Sequence, residues 1–251
     1  NSRYQLQTID IYRTLSLQSA PSPNGLIVWP ETAAPFYFQQ HNTLQSAVVD
    51  IAVTSRSALL FGSPSYEGQG KSVSYMNSAF LLRPDGTLDG RYDKVHLVPY
   101  GEYVPLRSFF PFINKLVAGV GDFTPGKGYY PLALGEHRLG VLICYEGILP
   151  DAARAYKRRN AELLINITND AWFGRTSAPY QHLSMTVFRA VENRLYLARA
   201  ANTGISAIID PTGRILAQTN IFERTILKGD IKMVDEKTFY TAYGDLFVYV
   251  C

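Results

Sequence analysis

The sequence predicts an α/β layered fold. Three observations predict it. Strand-length apolar runs at Leu26–Trp29, Ala58–Gly62, Arg138–Cys144 and Glu162–Thr168 carry few polar residues. Segments of helical periodicity lie among them. Turn signals at Arg83-Pro84-Asp85-Gly86, Gly135-Glu136 and Pro211-Thr212-Gly213 fold neighbouring runs into hairpins. Strands alternating with helices form sheets covered by helices, because each element must bury one apolar face.

The elements follow in order. Arg3–Gln18 places Leu6, Ile9, Tyr12 and Leu15 on one helical face. The Ser19–Gly25 linker, with prolines at 21 and 23, ends that helix. Leu26–Trp29 is a short strand whose ladder stops at Pro30. Phe38–Ser55 reads as a helix and Ala58–Gly62 as a strand. Asn77–Leu82 and Thr87–Tyr92 form a hairpin, since proline fixes one φ of the turn and glycine supplies another. Tyr130–Leu134 and Arg138–Cys144 form a second hairpin. Asp151–Arg159 is a helix, Glu162–Thr168 an apolar strand and Gln181–Arg199 a long helix. Gly204–Asp210 and Arg214–Ala217 make a third hairpin, and Thr225–Ile231 is the last strand. No internal repeat or interdomain linker appears, so residues 1–251 read as a single domain.

Composition narrows the function. The chain has 251 residues, 47% hydrophobic and 18% charged, enough for one well-filled core. Its net charge of +3 is too small to imply nucleic acid. The basic cluster Lys157-Arg158-Arg159 fits a helix C-terminus, where cations favour the dipole. Cys144 and Cys251 do not make a disulfide framework. His41, His96, His137 and His182 show no metal-ligand spacing, and no phosphate-binding glycine loop occurs, so neither metal nor cofactor is expected. No unbroken apolar stretch is long enough to span a bilayer. The final residues, Asp245–Cys251, stop inside an apolar run that would suit the start of a membrane helix.

Three motifs carry the chemistry. Trp29-Pro30-Glu31 ends one strand, Tyr92-Asp93-Lys94-Val95-His96 follows a hairpin, and Leu142-Ile143-Cys144-Tyr145-Glu146-Gly147 ends another strand. Each has a bland reading: a core cysteine, a helix-start acid, a solvated lysine. Together they supply a nucleophilic site. A thiol is mostly protonated at neutral pH. A carboxylate takes its proton as it attacks a carbonyl, and an ammonium keeps that carboxylate charged. Cys144 is therefore expected as nucleophile, Glu31 as general base and Lys94 as oxyanion stabiliser, helped by the Tyr145 backbone N–H. His96 and His182 are expected to be structural.

These motifs, in this order, resemble the carbon-nitrogen hydrolase (nitrilase) superfamily from Leu26 to about Ile231. The resemblance implies a nitrilase-like α-β-β-α sandwich, four-layered when paired, with a Glu-Lys-Cys triad. A narrower likeness lies in Lys94–Pro105, Asp122-Phe123-Thr124-Pro125-Gly126 and Asn166–Gly174, which resemble the apolipoprotein N-acyltransferase family. That likeness implies a domain on the outer, periplasmic side of the inner membrane, carried by transmembrane helices. It implies transfer of an acyl chain from a phospholipid to the cysteine, then to the N-terminal amine of a diacylglyceryl-cysteine lipoprotein. It also implies supporting roles for Glu102, Tyr145 and Glu146, and substrate contacts for Trp172 and Phe173. The membrane helices and the family's first strand are not in the sequence, so the sandwich is expected to lack an edge strand.

Val104–Val120, with Phe109 and Phe110, is too interrupted by proline and cations to cross a bilayer. It is expected to be a lipid-contacting lid over the thiol. A domain that needs a membrane face is expected to be a monomer. The competing readings are a soluble amidase of the same superfamily, with water as second nucleophile, and a non-catalytic binding domain.

Overall fold

A computed structural model describes residues 2–19, 25–40, 42–70, 72–103 and 122–251. Val104–Val120, expected to be a lid and carrying Phe109 and Phe110, lies outside them. The first sheet has the order β1-β2-β3-β4, formed by Leu26–Val28, Ala58–Glu67, Ser74–Leu82 and Leu88–Asp93. The β1-β2 pair is parallel and the others are antiparallel. The second has the order β10-β9-β8-β7-β6-β5, with β5 Leu132–Leu134, β6 His137–Ile143, β7 Leu163–Asn169, β8 Tyr196–Asn202, β9 Ala207–Ile209 and β10 Ile215–Gln218. Strands β6, β7 and β8 run parallel at its centre.

Alternation along the first sheet builds the layers, because successive side chains point to opposite faces. Leu59, Phe61, Phe80 and Leu82 pack with Ile9 of α1 (Ser2–Gln18) and Val48, Ile51 and Ala52 of α2 (Thr43–Ser55). Ala58, Leu60, Ala79 and Leu81 pack instead with Val141 and Ile143 of the second sheet. That same core takes in Ala152, Ala153 and Tyr156 of α3 (Pro150–Arg158), and Leu183 and Ala190 of α4 (Ala178–Asn193). The result is helix, sheet, sheet, helix. All four layers are present within one chain, so no pairing is needed to make them. In α1 the face is narrower than its spacing suggests, since Leu6 is exposed.

Several boundaries differ from the sequence expectation. Helix α2 starts at Thr43 rather than Phe38, because the Asn42 side chain accepts from the N–H groups of Leu44 and Gln45 and caps it there. Strand β2 continues past Gly62 to Glu67, paired throughout with β3. The helix expected over Gln181–Arg199 ends at Asn193. Arg194 turns left-handed (φ 51°) and donates to Ala190 and Val191, and the chain re-enters as β8, in register with β7. Tertiary pairing there overrides a helical apolar spacing. Thr225–Ile231 is no strand and has no strand partner among the described residues. Lys157 and Arg158 do lie in the last turn of α3. After two short helices, α5 Phe239–Tyr243 and α6 Leu246–Val250, the chain ends with Phe247, Val248, Tyr249 and Val250 exposed. Among the described residues no helix is long and apolar enough to cross a membrane.

Candidate active site

Three strand ends converge. After β1, Pro30 stops the ladder and Glu31 enters a tight turn in which Thr32 has φ 54°. The turn lies directly on β2 at Gly62, where an added Cβ would come within 2.6 Å of the Glu31 Cα. Only glycine permits that approach. Lys94 leaves β4 with its N–H bonded to the Asn77 carbonyl at 2.8 Å. Cys144 follows β6 at φ 53°, in the left-handed region that non-glycine residues seldom occupy. It opens a 3₁₀ turn, Cys144–Ile148. Such local strain at the end of a core strand is typical of functional sites.

The side chains meet in a buried cluster. Lys94 is 1% exposed and Glu31 8%. Lys94 Nζ lies 2.8 Å from Glu102 Oε2 and 4.0 Å from Glu31 Oε1. Asn77 Nδ2 donates to both carboxylates, at 2.7 Å to Glu31 Oε1 and 2.8 Å to Glu102 Oε1. The Asn169 N–H donates to Glu31 Oε2 at 2.8 Å. Glu102 in turn closes its own loop by accepting from the Val98 N–H. The Cys144 thiol is within electrostatic reach of both Glu31 and Lys94.

Electrostatics set the resting protonation. Burial pushes the Cys144 thiol up to about 12, and the Glu31 charge adds to this, against Lys94 and a hydrogen bond from Thr168. The thiol therefore rests neutral and needs a base. Burial also raises Glu31, while Lys94, Asn77 and the Asn169 N–H oppose it. For Lys94, burial pulls down, but the charges of Glu31 and Glu102 and the hydrogen bond to Glu102 oppose it, and the ammonium is held above its ordinary value. A base, a cation and a thiol in one water-poor cluster can run covalent acyl chemistry.

Glu146 takes a different place from Glu102. It is fully buried, and its oxygens accept from the Tyr92 hydroxyl and from the N–H groups of Val95, His96 and Ile143. It therefore ties the Lys94 strand end to the Cys144 turn. Tyr145 is half-exposed, its ring stacked on His96 at 6.0 Å. Trp172 is 89% exposed and Phe173 37%, both in the 3₁₀ turn Asp170–Phe173 after β7.

The sequence reading missed the polar floor of the site. Asn77 bridges the two carboxylates, and Asn166 on β7 donates to the Leu142 and Cys144 carbonyls. Asp170 and Arg199 pair at 2.9 Å, both fully buried. A signal existed: Asn166 and Thr168 stand inside the apolar run LLINITN, and polar residues inside a buried strand have partners. Among the described residues no group of acidic, histidine and cysteine side chains has a metal-binding arrangement.

Residues 7–239 match the carbon-nitrogen hydrolase family. The chain is 52% identical, over 99% of its length, to an apolipoprotein N-acyltransferase of Geobacter metallireducens, covering 48% of that protein. It is 37% identical, over 96% of its length, to the protein of that name from Caulobacter vibrioides, covering 47% of it. The chain thus spans about half the length of these curated relatives. Among solved structures, a carbon-nitrogen hydrolase from Helicobacter pylori matches with a TM-score of 0.65 at 22% identity, covering 86% of this chain and 80% of that one. An amidase variant from Nesterenkonia matches with a TM-score of 0.65 at 23% identity, over 86% of this chain and 81% of its own. The layer order and the family match over residues 7–239 lead to one assignment: the chain belongs to the carbon-nitrogen hydrolase family.

Proposed function

We propose that this domain is the catalytic part of an N-acyltransferase working through a Cys144 thioester. The reading is supported by the buried Glu31–Lys94 pair at 4.0 Å and by the half-buried Cys144 thiol, on which both charges act. Glu31 takes the thiol proton as Sγ attacks an ester carbonyl of a phospholipid. The Lys94 ammonium and the Tyr145 N–H hold the oxyanion. Collapse expels the lysophospholipid alkoxide, which takes the proton back from Glu31. The N-terminal amine of a diacylglyceryl-cysteine lipoprotein then attacks the thioester and gives its proton to Glu31. The Cys144 thiolate leaves and recovers that proton. Glu102 holds the Lys94 ammonium, and Glu146 holds the two strand ends in register. Trp172 and Phe173 form an exposed rim for acyl chains, and Phe109 and Phe110 belong to the same reading as substrate contacts.

The lipoprotein acceptor is supported by the relatives' names, and the reading carries with it an inner-membrane location facing the periplasm. A phospholipid donor, a membrane and a monomeric state belong to the same reading. The full-length protein, given labelled phospholipid and a diacylated peptide, should accumulate an acyl mass on Cys144 and release a triacylated peptide. Ammonia release from small amides without acyl transfer would favour the amidase reading. Neither product would leave a binding domain.

A further inference from the structure

Beneath the nucleophile lies a buried network that the acyl-transfer steps do not use. The Cys144 carbonyl points into it and faces two nitrogens, Asn166 Nδ2 at 3.3 Å and His182 Nε2 at 3.3 Å. The other ring nitrogen, His182 Nδ1, lies 3.1 Å from Asp170 Oδ1 and 3.2 Å from Arg199 Nη2. Arg199 also donates to Asp170 Oδ2 at 2.9 Å and to Asn166 Oδ1. Thr168 Oγ1 donates to Asp170 Oδ1 at 2.9 Å.

These contacts decide where the imidazole hydrogen sits. A neutral ring protonated at Nε2 donates to the Cys144 carbonyl and accepts at Nδ1 from Arg199, which has only donors, but leaves a lone pair 3.1 Å from Asp170 Oδ1. A doubly protonated ring donates to both Cys144 and Asp170. A neutral ring protonated only at Nδ1 would set its Nε2 lone pair against the carbonyl oxygen. Only the doubly protonated ring donates to both oxygens; in either form, a hydrogen on Nε2 is what makes the Cys144 contact a hydrogen bond, because a carbonyl only accepts.

That carbonyl shares its peptide plane with the Tyr145 N–H. In a trans peptide the C=O and N–H point to opposite sides. Two donors on the carbonyl therefore turn the Tyr145 N–H to the opposite side of the plane, away from the buried network. The plane would otherwise be free to relax, because Cys144 holds a disfavoured φ of 53°. Thus we infer that His182, oriented by Asp170 and Arg199 and acting with Asn166, is a positioning residue that aims the Tyr145 N–H at the oxyanion. This rests on the reading of Cys144 as nucleophile.

The test separates oxyanion chemistry from thiol access. In the full-length protein, acylation of Cys144 by labelled phospholipid forms an oxyanion, whereas alkylation of the same thiol by iodoacetamide does not. His182→Ala should slow saturated acylation by roughly 10- to 100-fold, short of the loss of a whole oxyanion donor. The half-saturating donor concentration and the alkylation rate should stay within about threefold of the parent. His182→Gln, whose amide N–H replaces the Nε2 hydrogen, should recover acylation to within about threefold. Should His182→Ala fail to accumulate, His182→Leu refills the volume without a donor and is read the same way. Parental acylation in the donor-less variant, equal losses of acylation and alkylation, or a glutamine variant no better than alanine would each overturn the inference. A parent protein that never acylates Cys144 overturns the nucleophile reading itself.

Discussion

Replacing Glu146 by glutamine separates its clamping role from reaction chemistry. The carboxylate accepts from Val95 N–H at 2.8 Å and His96 N–H at 3.0 Å through Oε1, and from Ile143 N–H at 2.8 Å through Oε2. The Tyr92 hydroxyl contacts both oxygens. Burial pushes this carboxyl up, and the N–H groups of His96 and Ile143, with Lys94, oppose that rise. An amide keeps one acceptor oxygen. If it faces Val95 and His96, the NH₂ group meets the Ile143 N–H head on. One buried donor left unsatisfied costs about 1–3 kcal/mol, and the two remaining bonds fall from charge-assisted to neutral strength, about 1 kcal/mol each. The total is about 3–5 kcal/mol, or a fall in melting temperature of roughly 8–15 °C for a domain of this size. Because the lost bond holds the residue before Cys144, acylation should also fall, by roughly 100-fold or more. Thermal unfolding of the full-length protein followed in parallel with mass-detected acylation of Cys144 measures both. A Glu146→Gln protein melting within about 2 °C of the parent and acylating at the parental rate would refute the clamp.

Three further outcomes are expected. Glu31→Gln removes the base but keeps one acceptor oxygen for Asn77, so acylation should drop by roughly 10²- to 10⁴-fold with the fold retained, as read by single-turnover mass spectrometry and circular dichroism. Burial holds the Cys144 thiol at about 12, so iodoacetamide at neutral pH should label exposed Cys251 first, and Cys144 labelling should keep rising through the alkaline range; peptide mapping that finds Cys144 labelled first would contradict the burial argument. Asp170 is raised by burial, but the hydrogen bond from His182 and the charge of Arg199 more than offset this and hold its carboxyl below the ordinary value. Its contribution to stability is therefore present above the unfolded value and is lost as pH falls through the folded one, below about pH 4. Asp170→Asn should flatten that acid limb in melting curves and cost about 3–5 kcal/mol at neutral pH, since it leaves Arg199 buried without its counter-charge.

Much of the fold was legible in local pattern. The hairpin turn at Pro84-Asp85-Gly86 and the ends of β1, β6 and β7 follow from turn chemistry and apolar run length, which act over a few residues. Two segments were misread for want of a partner's position. Tyr196–Asn202 carries an apolar spacing that suits a helix as well as a strand, and the slot between β7 and β9 makes it a strand. Thr225–Ile231 has strand composition but no neighbour to pair with among the described residues. Strand formation needs a partner, and no single segment encodes one.

For the site, the linear sequence by itself determined which chemical groups the strand ends present: Glu31 after Pro30, Lys94 after the hairpin, Cys144 after β6. It also supplied the long strings that mark the family. Tertiary structure alone decided how those groups are held. Asn77 bridges Glu31 and Glu102, which lie far apart in sequence, and Glu146 joins two strand ends rather than facing the thiol. His182 and Arg199 reach under Cys144 from α4 and β8. The physical reason is that a functional group's identity is local, whereas its protonation, orientation and hydrogen-bond partners depend on what the fold buries beside it.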